Sequence, residues 1–361
     1  MLKLNYFLAD IFILSAEKQP IKLSWRKIEW LPMFMILLWH AWGHYEINLP
    51  QYPFKIIVSI LRPLINIHVD IFVLISGYFG LKMRFKSIFT LYTTVLFYTI
   101  ILFTYTTIMI PDESTDIFSL LFPITHGDWW FIKIYTLLLF ISPLLNVLID
   151  KCNINKSWKL LLFIVCSVNF YFSYIQKVDT IYHYGYDLSN FICLYIIGRY
   201  IYYHSAQFKT NKIIGFTFFL ICFKLLLHVF CNIYSLQSIF RLADYCNPLN
   251  VMLAATVLSL IIKWKSAWTN KTINSISTST LAVYLITDNH IMREYLKTWT
   301  NMYYTYIPVK ELYFPTYILI LIILFIICIL IDKCRLIITR VFIDRSVEYM
   351  NQKNLNQIWK L

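Results

Sequence analysis

The 361-residue sequence has few charged residues and no long polar stretch. Charged side chains make up 14% of the chain and hydrophobic ones 59%, a balance far more apolar than that of an ordinary soluble domain. Because apolar runs recur along almost the whole length, no segment is available for a separate soluble domain. The composition therefore predicts one integral membrane domain.

Other absences narrow the function. The eight cysteines form no C-x-x-C pair and lie mostly in apolar runs, which indicates buried, reduced packing residues rather than a zinc site or a disulfide framework. The net charge of +13 is spread between apolar runs instead of forming a basic patch, so we expect no nucleic-acid partner. We also expect no metal. The first 20 residues lack a small-residue cleavage site, which argues against a cleaved signal peptide.

The apolar runs predict an all-α polytopic membrane protein with about ten transmembrane helices, since a hydrocarbon core needs roughly 20 apolar residues of helix. The predicted spans are 28–45, 60–81, 88–110, 129–149, 160–175, 190–204, 213–233, 248–262, 276–292 and 315–331. With the N-terminus inside, the inner segments hold 22 Lys and Arg and the outer loops 6. This bias predicts that both termini are cytoplasmic. We divide the chain into a cytoplasmic segment 1–27, a transmembrane domain 28–335 and a cytoplasmic tail 336–361.

Polar groups inside the second span are the clearest sign of a site. Arg62, Asn66 and Asp70 are spaced four residues apart, which predicts one shared helix face. Because a charged side chain inside a membrane costs free energy, such a face either holds helices together through polar contacts or lines a functional cavity. Ser76 and Gly77 are small residues that predict close approach of a neighbouring helix.

Two histidines end the first span, in the stretch MFMILLWHAWGHY. His40 falls in the outer half of this span. Asp70 of the second span lies at a similar depth in the membrane, so the two side chains could meet. A carboxylate beside an imidazole is the arrangement used for general-base catalysis, so we predict contact between His40 and Asp70. A satisfied structural histidine is the alternative. His44 is expected to be an interfacial neighbour.

The outer ends of two later spans also carry polar or aromatic groups. Asp288, Asn289 and His290 end the ninth span, and Trp129 and Trp130 open the fourth. The tryptophans fit either an aromatic belt at the membrane interface or a stacking surface for a sugar ring. Together with His40, these groups predict an outward-facing pocket.

Six fragments occur in an order that resembles the acyltransferase 3 family, integral-membrane enzymes that acylate sugars of bacterial surface polysaccharides. They are MFMILLWH after IEWL, VDIFVLISGYF, DWWFIKIYTLLLFISPLLN, LYIIGRYI, NPLNVMLAATVLSL and INSISTSTLAVYLITDNH. The resemblance covers roughly residues 28–335. It implies a multi-pass protein of the bacterial inner (cytoplasmic) membrane, in contact with membrane lipid.

The same resemblance implies the reaction and the roles of residues. Acyl-CoA, usually acetyl-CoA, would bind from the cytoplasmic side, and a hydroxyl of a polysaccharide or lipid-linked glycan would receive the acyl group. His40 would be the catalytic base or a transient acyl carrier, and Asp70 a supporting acid. Arg62, Asn66, Trp129, Trp130, Asp288, Asn289 and His290 would bind the glycan or support the site.

Three basic residues directly after the second span, Lys82, Arg84 and Lys86, would offer positive charge to the CoA phosphates. The alternative is that they only obey the positive-inside rule. Members of the family commonly carry a basic residue ten or eleven positions before the histidine, where this chain has Trp30 and Glu29. They also often carry a histidine where this chain has Thr287, and His290 lies on the same predicted face.

The leading hypothesis is therefore a membrane O-acetyltransferase acting on a surface or secreted glycan. One alternative is a catalytically impaired relative that binds or translocates a glycan or lipid-linked precursor. Another is an ion-coupled transporter that uses His40 and Asp70 as a proton relay, although the sequence lacks the internal repeat typical of such folds.

Overall fold

The apolar runs fold as helices throughout the part of the chain that is described. The computed structural model describes residues 30–45, 53–109, 118–176, 184–263, 275–307, 309 and 312–352, and contains no strand in these ranges. The all-α prediction is confirmed for these residues. The predicted N-terminal segment 1–27 and Glu29 lie outside them, as does the side chain of His44.

The helices follow one another in this order: α1 Trp30–His40, α2 Pro53–Ile65, α3 His68–Phe79, α4 Phe85–Met109, α5 Phe118–Leu121, α6 Trp130–Ile154, α7 Trp158–Asn169, α8 Leu188–His204, α9 Thr210–Ile233, α10 Gln237–Phe240, α11 Pro248–Lys263, α12 Thr280–Thr287, α13 His290–Tyr306 and α14 Tyr313–Gln352.

Six helical segments in the described ranges are long and apolar enough to cross a membrane, and each coincides with a predicted span. They are Ile56–Phe79, Phe85–Ile108, Trp130–Ile154, Trp158–Gln176, Thr210–Ile233 and Tyr313–Phe342. The other four predicted spans correspond to shorter helices, α1, α8, α11 and α12. The chain is thus a multi-pass membrane protein, while the count of ten crossings and the side of each terminus stay predictions.

Helices α3 and α8 pack against each other in the centre of the bundle, and glycines permit their contact. A Cβ atom built on Gly77 would lie 2.2 Å from the Tyr195 carbonyl oxygen, and one built on Gly198 would lie 2.2 Å from the Leu74 carbonyl oxygen. Both distances are far below van der Waals contact, so neither position accepts a side chain. The prediction that Gly77 allows close approach is confirmed.

The predicted second span is interrupted, which corrects the prediction of a shared polar face. A turn at Asn66 and Ile67 separates α2 from α3, so Arg62, Asn66 and Asp70 do not follow one continuous helix. Side chains take over the carbonyl oxygens that the break leaves unpaired. Lys224 Nζ donates to the Pro63 carbonyl, and His68 Nδ1 donates to the Ile65 carbonyl at 2.8 Å.

The predicted ninth span is also two helices. α12 ends at Thr287 and α13 begins at His290, because Asn289 acts as an N-cap: its side-chain oxygen accepts from the Ile291 amide at 3.1 Å. The last helix, α14, runs to Gln352, beyond the predicted end at 331 and through the boundary placed at 335.

Candidate active site

His40 lies where the first helix changes its geometry. α1 ends at this residue and continues as one π-helical turn, Ala41–Tyr45, a distortion that is frequent at functional sites. The His40 side chain is buried, and both ring nitrogens meet side chains at the end of α12. Nδ1 lies 3.2 Å from Thr287 Oγ1, and Nε2 lies 3.2 Å from Asp288 Oδ1. Two breaks in helical geometry therefore meet at one imidazole.

The hydrogen bonds around His40 indicate where its protons lie. The Thr287 hydroxyl donates to the Val283 carbonyl at 2.7 Å, so toward His40 it acts as an acceptor and Nδ1 carries a hydrogen. Nε2 faces a carboxylate oxygen, which is also an acceptor. Thr287 therefore orients the imidazole with hydrogen on Nδ1, and Asp288 is placed to stabilise positive charge when Nε2 takes up a proton.

A third charged group, Arg293 from α13, completes this cluster. Its Nη2 lies 2.5 Å from Asp288 Oδ1, and its Nε lies 3.2 Å from the same oxygen. The Asp288 side chain is 1% exposed and that of Arg293 31%. Arg293 thus holds the buried carboxylate from the more accessible side, while His40 meets it from within the bundle.

The cluster opens onto a cavity of about 140 Å³ with largely aromatic walls. His40, Asp288 and Arg293 line one part of it, and the aromatic lining consists of Trp39, Phe72, Trp130, Phe131, Tyr186, Tyr245 and Tyr284. Trp130 contacts Tyr186 with ring centroids 4.4 Å apart and stacks on Tyr245 at 6.0 Å. A concave, mostly apolar space with a few converging polar groups is typical of a small-molecule site.

A second histidine, His68, also faces this cavity. Because its Nδ1 donates to the Ile65 carbonyl at 2.8 Å, its Nε2 is the acceptor, and the Tyr245 hydroxyl lies 3.1 Å from it. Tyr245 is therefore the donor in this contact, and both residues line the cavity.

Asp70 does not make the predicted contact with His40. Its side chain is fully buried, and neither of its oxygens has a hydrogen-bond partner among the described residues. The charged neighbour that acts on it is Lys224 of α9, which bonds to the Pro63 carbonyl and to Asn250 Oδ1. The break between α2 and α3 places Asp70 behind the cavity lining, and Asp288 occupies the position beside His40.

Three of the other predicted binding residues differ in their environment. Arg62 is exposed and lies over the ring of Trp39, 4.9 Å from its centroid. Asn66 is buried and donates to the Ala243 carbonyl at 2.7 Å. Trp129 is 2% exposed, and its indole nitrogen donates to the Leu285 carbonyl at 3.1 Å. Asn66 and Trp129 therefore hold the fold together, and Trp129 is too buried to stack on a sugar, which corrects that prediction.

Asn289 and His290 lie beside the cavity rather than in its lining. Asn289 Nδ2 donates to Asp128 Oδ2 at 2.8 Å, and His290 Nδ1 lies 2.6 Å from the same oxygen. The hydrogen bond from His290 lowers the pKa of Asp128 below its ordinary value. His290 thus joins the start of α13 to the loop before α6, and its ring is engaged with Asp128 rather than with His40.

The three basic residues predicted to bind acyl-CoA lie far from the cavity. Lys82, which is exposed, and Arg84, which is half-buried, lie between α3 and α4, and half-buried Lys86 lies in the first turn of α4. Since the 12 residues of α3 separate this turn from His68, the distance along the helix is about 18 Å. Their role in binding the donor stays a prediction.

Sequence reasoning missed Arg293, His68 and the part that Thr287 plays in orienting the His40 ring. Arg293 lies one residue beyond the predicted ninth span, but a basic residue five positions after an intramembrane acid can contact that acid when a new helix begins between them. His68 precedes Asp70 by two residues in an apolar span, which alone marks it as a candidate functional residue.

Comparison with protein-family models identifies a match to the acyltransferase 3 family, described as an acyltransferase domain, over residues 29–333. No curated protein matches the chain, and neither does any solved structure. The family match covers most of the 361 residues and includes every residue of the cluster around His40. The chain belongs to the acyltransferase 3 family.

Proposed function

We propose that the protein is a membrane O-acetyltransferase that moves an acetyl group from cytoplasmic acetyl-CoA to a hydroxyl of a cell-surface or secreted polysaccharide. The proposed location is the bacterial inner membrane. The observation that carries the proposal is the cluster of His40, Asp288 and Arg293 beside an aromatic-walled cavity. Within an acyltransferase family, a buried imidazole held by a carboxylate supports general-base catalysis.

In the proposed reaction the acceptor oxygen bonds to the thioester carbonyl carbon and the carbon–sulfur bond breaks. His40 takes the proton of the attacking hydroxyl and returns it to the departing CoA sulfur. Alternatively, His40 carries the acyl group transiently before the hydroxyl attacks. In both versions the ring becomes positively charged, and Asp288 stabilises that charge.

Arg293 has a defined part in this reaction. Nε2 of His40 faces Asp288, so an acceptor hydroxyl can reach that nitrogen only by replacing the contact. The two bonds from Arg293 keep the carboxylate in place while this exchange occurs. Arg293 is therefore a positioning residue, and Thr287 keeps the proton on Nδ1 so that Nε2 is the reactive nitrogen.

The aromatic wall suits a saccharide acceptor. Trp130 and the neighbouring tyrosines offer apolar ring faces. The donor would approach from the end of the bundle that carries Lys82, Arg84 and Lys86, which suits a long, phosphate-bearing molecule such as acetyl-CoA.

Mass spectrometry of the surface glycan tests the proposal. Cells with the wild-type protein should carry acetylated sugars, and cells with His40→Ala should lose the mass of one acetyl group per modified sugar while the protein still inserts. His204→Ala is the matched control, because His204 ends α8 and stacks on Tyr200, with ring centroids 4.2 Å apart, away from the cavity lining. Unchanged acetylation with His40→Ala would refute the assignment. A wild-type protein that binds glycan but no acetyl-CoA would favour the non-catalytic alternative.

A further inference from the structure

Helix α13 combines an exposed aromatic face with several charged residues. Tyr295, Trp299, Met302 and Tyr306 are 45%, 40%, 53% and 78% exposed. Their spacing of four, three and four residues places all of them on one side of the helix. The 17-residue helix also contains Arg293, Glu294 and Lys297, so it is too polar to cross a hydrocarbon core.

α13 connects the end of α12, beside His40, to the start of α14. Lys333 of α14 donates to the Ser275 carbonyl at 2.5 Å and to Thr278 Oγ1 at 2.9 Å, so this part of α14 lies beside the start of the ninth predicted span. Phe325 packs on Phe34 of α1, with ring centroids 5.8 Å apart. α14 therefore runs antiparallel to α12, and its first residue lies about 30 Å from Lys333, beyond the level of Thr287. Since Thr287 lies only about 14 Å from Thr278 along the ninth predicted span, α13 runs from the level of the His40 cluster toward the level of Tyr313.

The exposed face is continuous with surfaces that face lipid. At its start, Tyr295 contacts Tyr105 near the end of α4, with ring centroids 6.0 Å apart, and Ile108 of that helix is 65% exposed. Beyond Tyr306, exposed Leu312 leads into the exposed apolar side of α14. Tyrosine and tryptophan are the residues that prefer the boundary between headgroups and acyl chains.

The opposite side of α13 faces the protein. Arg293 and Thr300 are seven residues apart and share that side; Thr300 is 3% exposed and Arg293 holds Asp288. A helix that is too polar to cross the hydrocarbon core and has one aromatic face and one protein-facing side has the features of an interfacial helix. We propose that α13 lies in the headgroup region of the bilayer, with Tyr295, Trp299, Met302 and Tyr306 in contact with lipid.

Fluorescence quenching by brominated phospholipids tests this proposal on the full-length protein in proteoliposomes. The emission difference between wild type and Trp299→Phe isolates the signal of Trp299. We expect that signal to be quenched more by bromine near the carbonyl end of the acyl chains than by bromine near the chain terminus. Trp158→Phe provides the control, since Trp158 is 4% exposed and its signal should respond less to either lipid.

Two results would overturn the proposal. A Trp299 signal that is indifferent to brominated lipid but quenched by aqueous iodide would place the face in water. A signal that responds to neither quencher would place it against protein, such as a second copy of the chain. The conservative change to Phe keeps the helix folded, and the measurement does not depend on acyl transfer, so failure of the proposed function leaves this test intact.

Discussion

Replacing Arg293 by Gln should slow acyl transfer without unfolding the protein. In the wild type, two nitrogens of Arg293 contact one oxygen of Asp288, at 2.5 and 3.2 Å. Glutamine keeps most of the side-chain length but removes the charge. Asp288 is then left with His40 as its remaining described ion-pair partner, and the carboxylate is free to follow the imidazole when the acceptor hydroxyl approaches.

The size of the effect follows from the geometry. A hydrogen bond to a charged group contributes about 1.5–3 kcal/mol. Because 31% of the Arg293 side chain is exposed, solvent weakens the interaction and the lower part of that range, about 1.5–2 kcal/mol, is appropriate. If the contact is needed mainly in the transition state, kcat should fall roughly 10- to 30-fold.

The assay is the initial rate of acetyl transfer from labelled acetyl-CoA to glycan, measured with purified protein in proteoliposomes. We expect kcat to fall with little change in KM for the acceptor, and Arg293→Lys to recover part of the rate because it restores charge but not the two-pronged contact. Lys297→Gln is the matched control: Lys297 lies on the same helix but pairs with exposed Glu294. A rate for Arg293→Gln equal to that of wild type would refute the positioning role.

Three further predictions concern the frame around the site. Gly77→Ala should lower the thermal midpoint strongly, because its Cβ would overlap the Tyr195 backbone, whereas Gly215→Ala, with nothing within 4 Å, should be neutral; equal effects would contradict the packing. Lys224→Met should destabilise the protein by about 1–3 kcal/mol for each of the two buried acceptors that lose their donor, the Pro63 carbonyl and Asn250 Oδ1; chemical denaturation that shows no loss would contradict this. Asp128→Asn should lower the free energy of unfolding. The loss should be constant above the ordinary aspartate pKa of 3.8 and should disappear as the pH falls through the lowered pKa of wild-type Asp128. Thermal melts in which the loss grows on acidification would contradict this.

The helices were predictable because apolar runs must form helices in a membrane. The ends of the helices were harder to predict where side chains form hydrogen bonds with backbone groups. The break at Asn66 is satisfied by Lys224 and His68, residues that no local pattern connects. The start of α13 depends on Asn289 as an N-cap, a signal that was present in the sequence but lay inside an apolar span.

The site was predicted in part. His40 and Trp130 do line one cavity together with Asp288, as the convergence of outer span ends indicated. The partner of His40 was assigned incorrectly, because depth along two helices restricts which residues can meet but not which way each side chain points. Asp70 is buried without a hydrogen bond to its oxygens among the described residues, while Asp288, directly after the end of α12, contacts His40.

The most direct test of the account compares acetyl transfer by wild type, His40→Ala and Asp288→Asn in proteoliposomes supplied with labelled acetyl-CoA and glycan. We expect transfer by wild type, none above background for His40→Ala, and a severe loss for Asp288→Asn, with all three proteins inserted and folded. Transfer by His40→Ala at the wild-type rate would contradict this expectation.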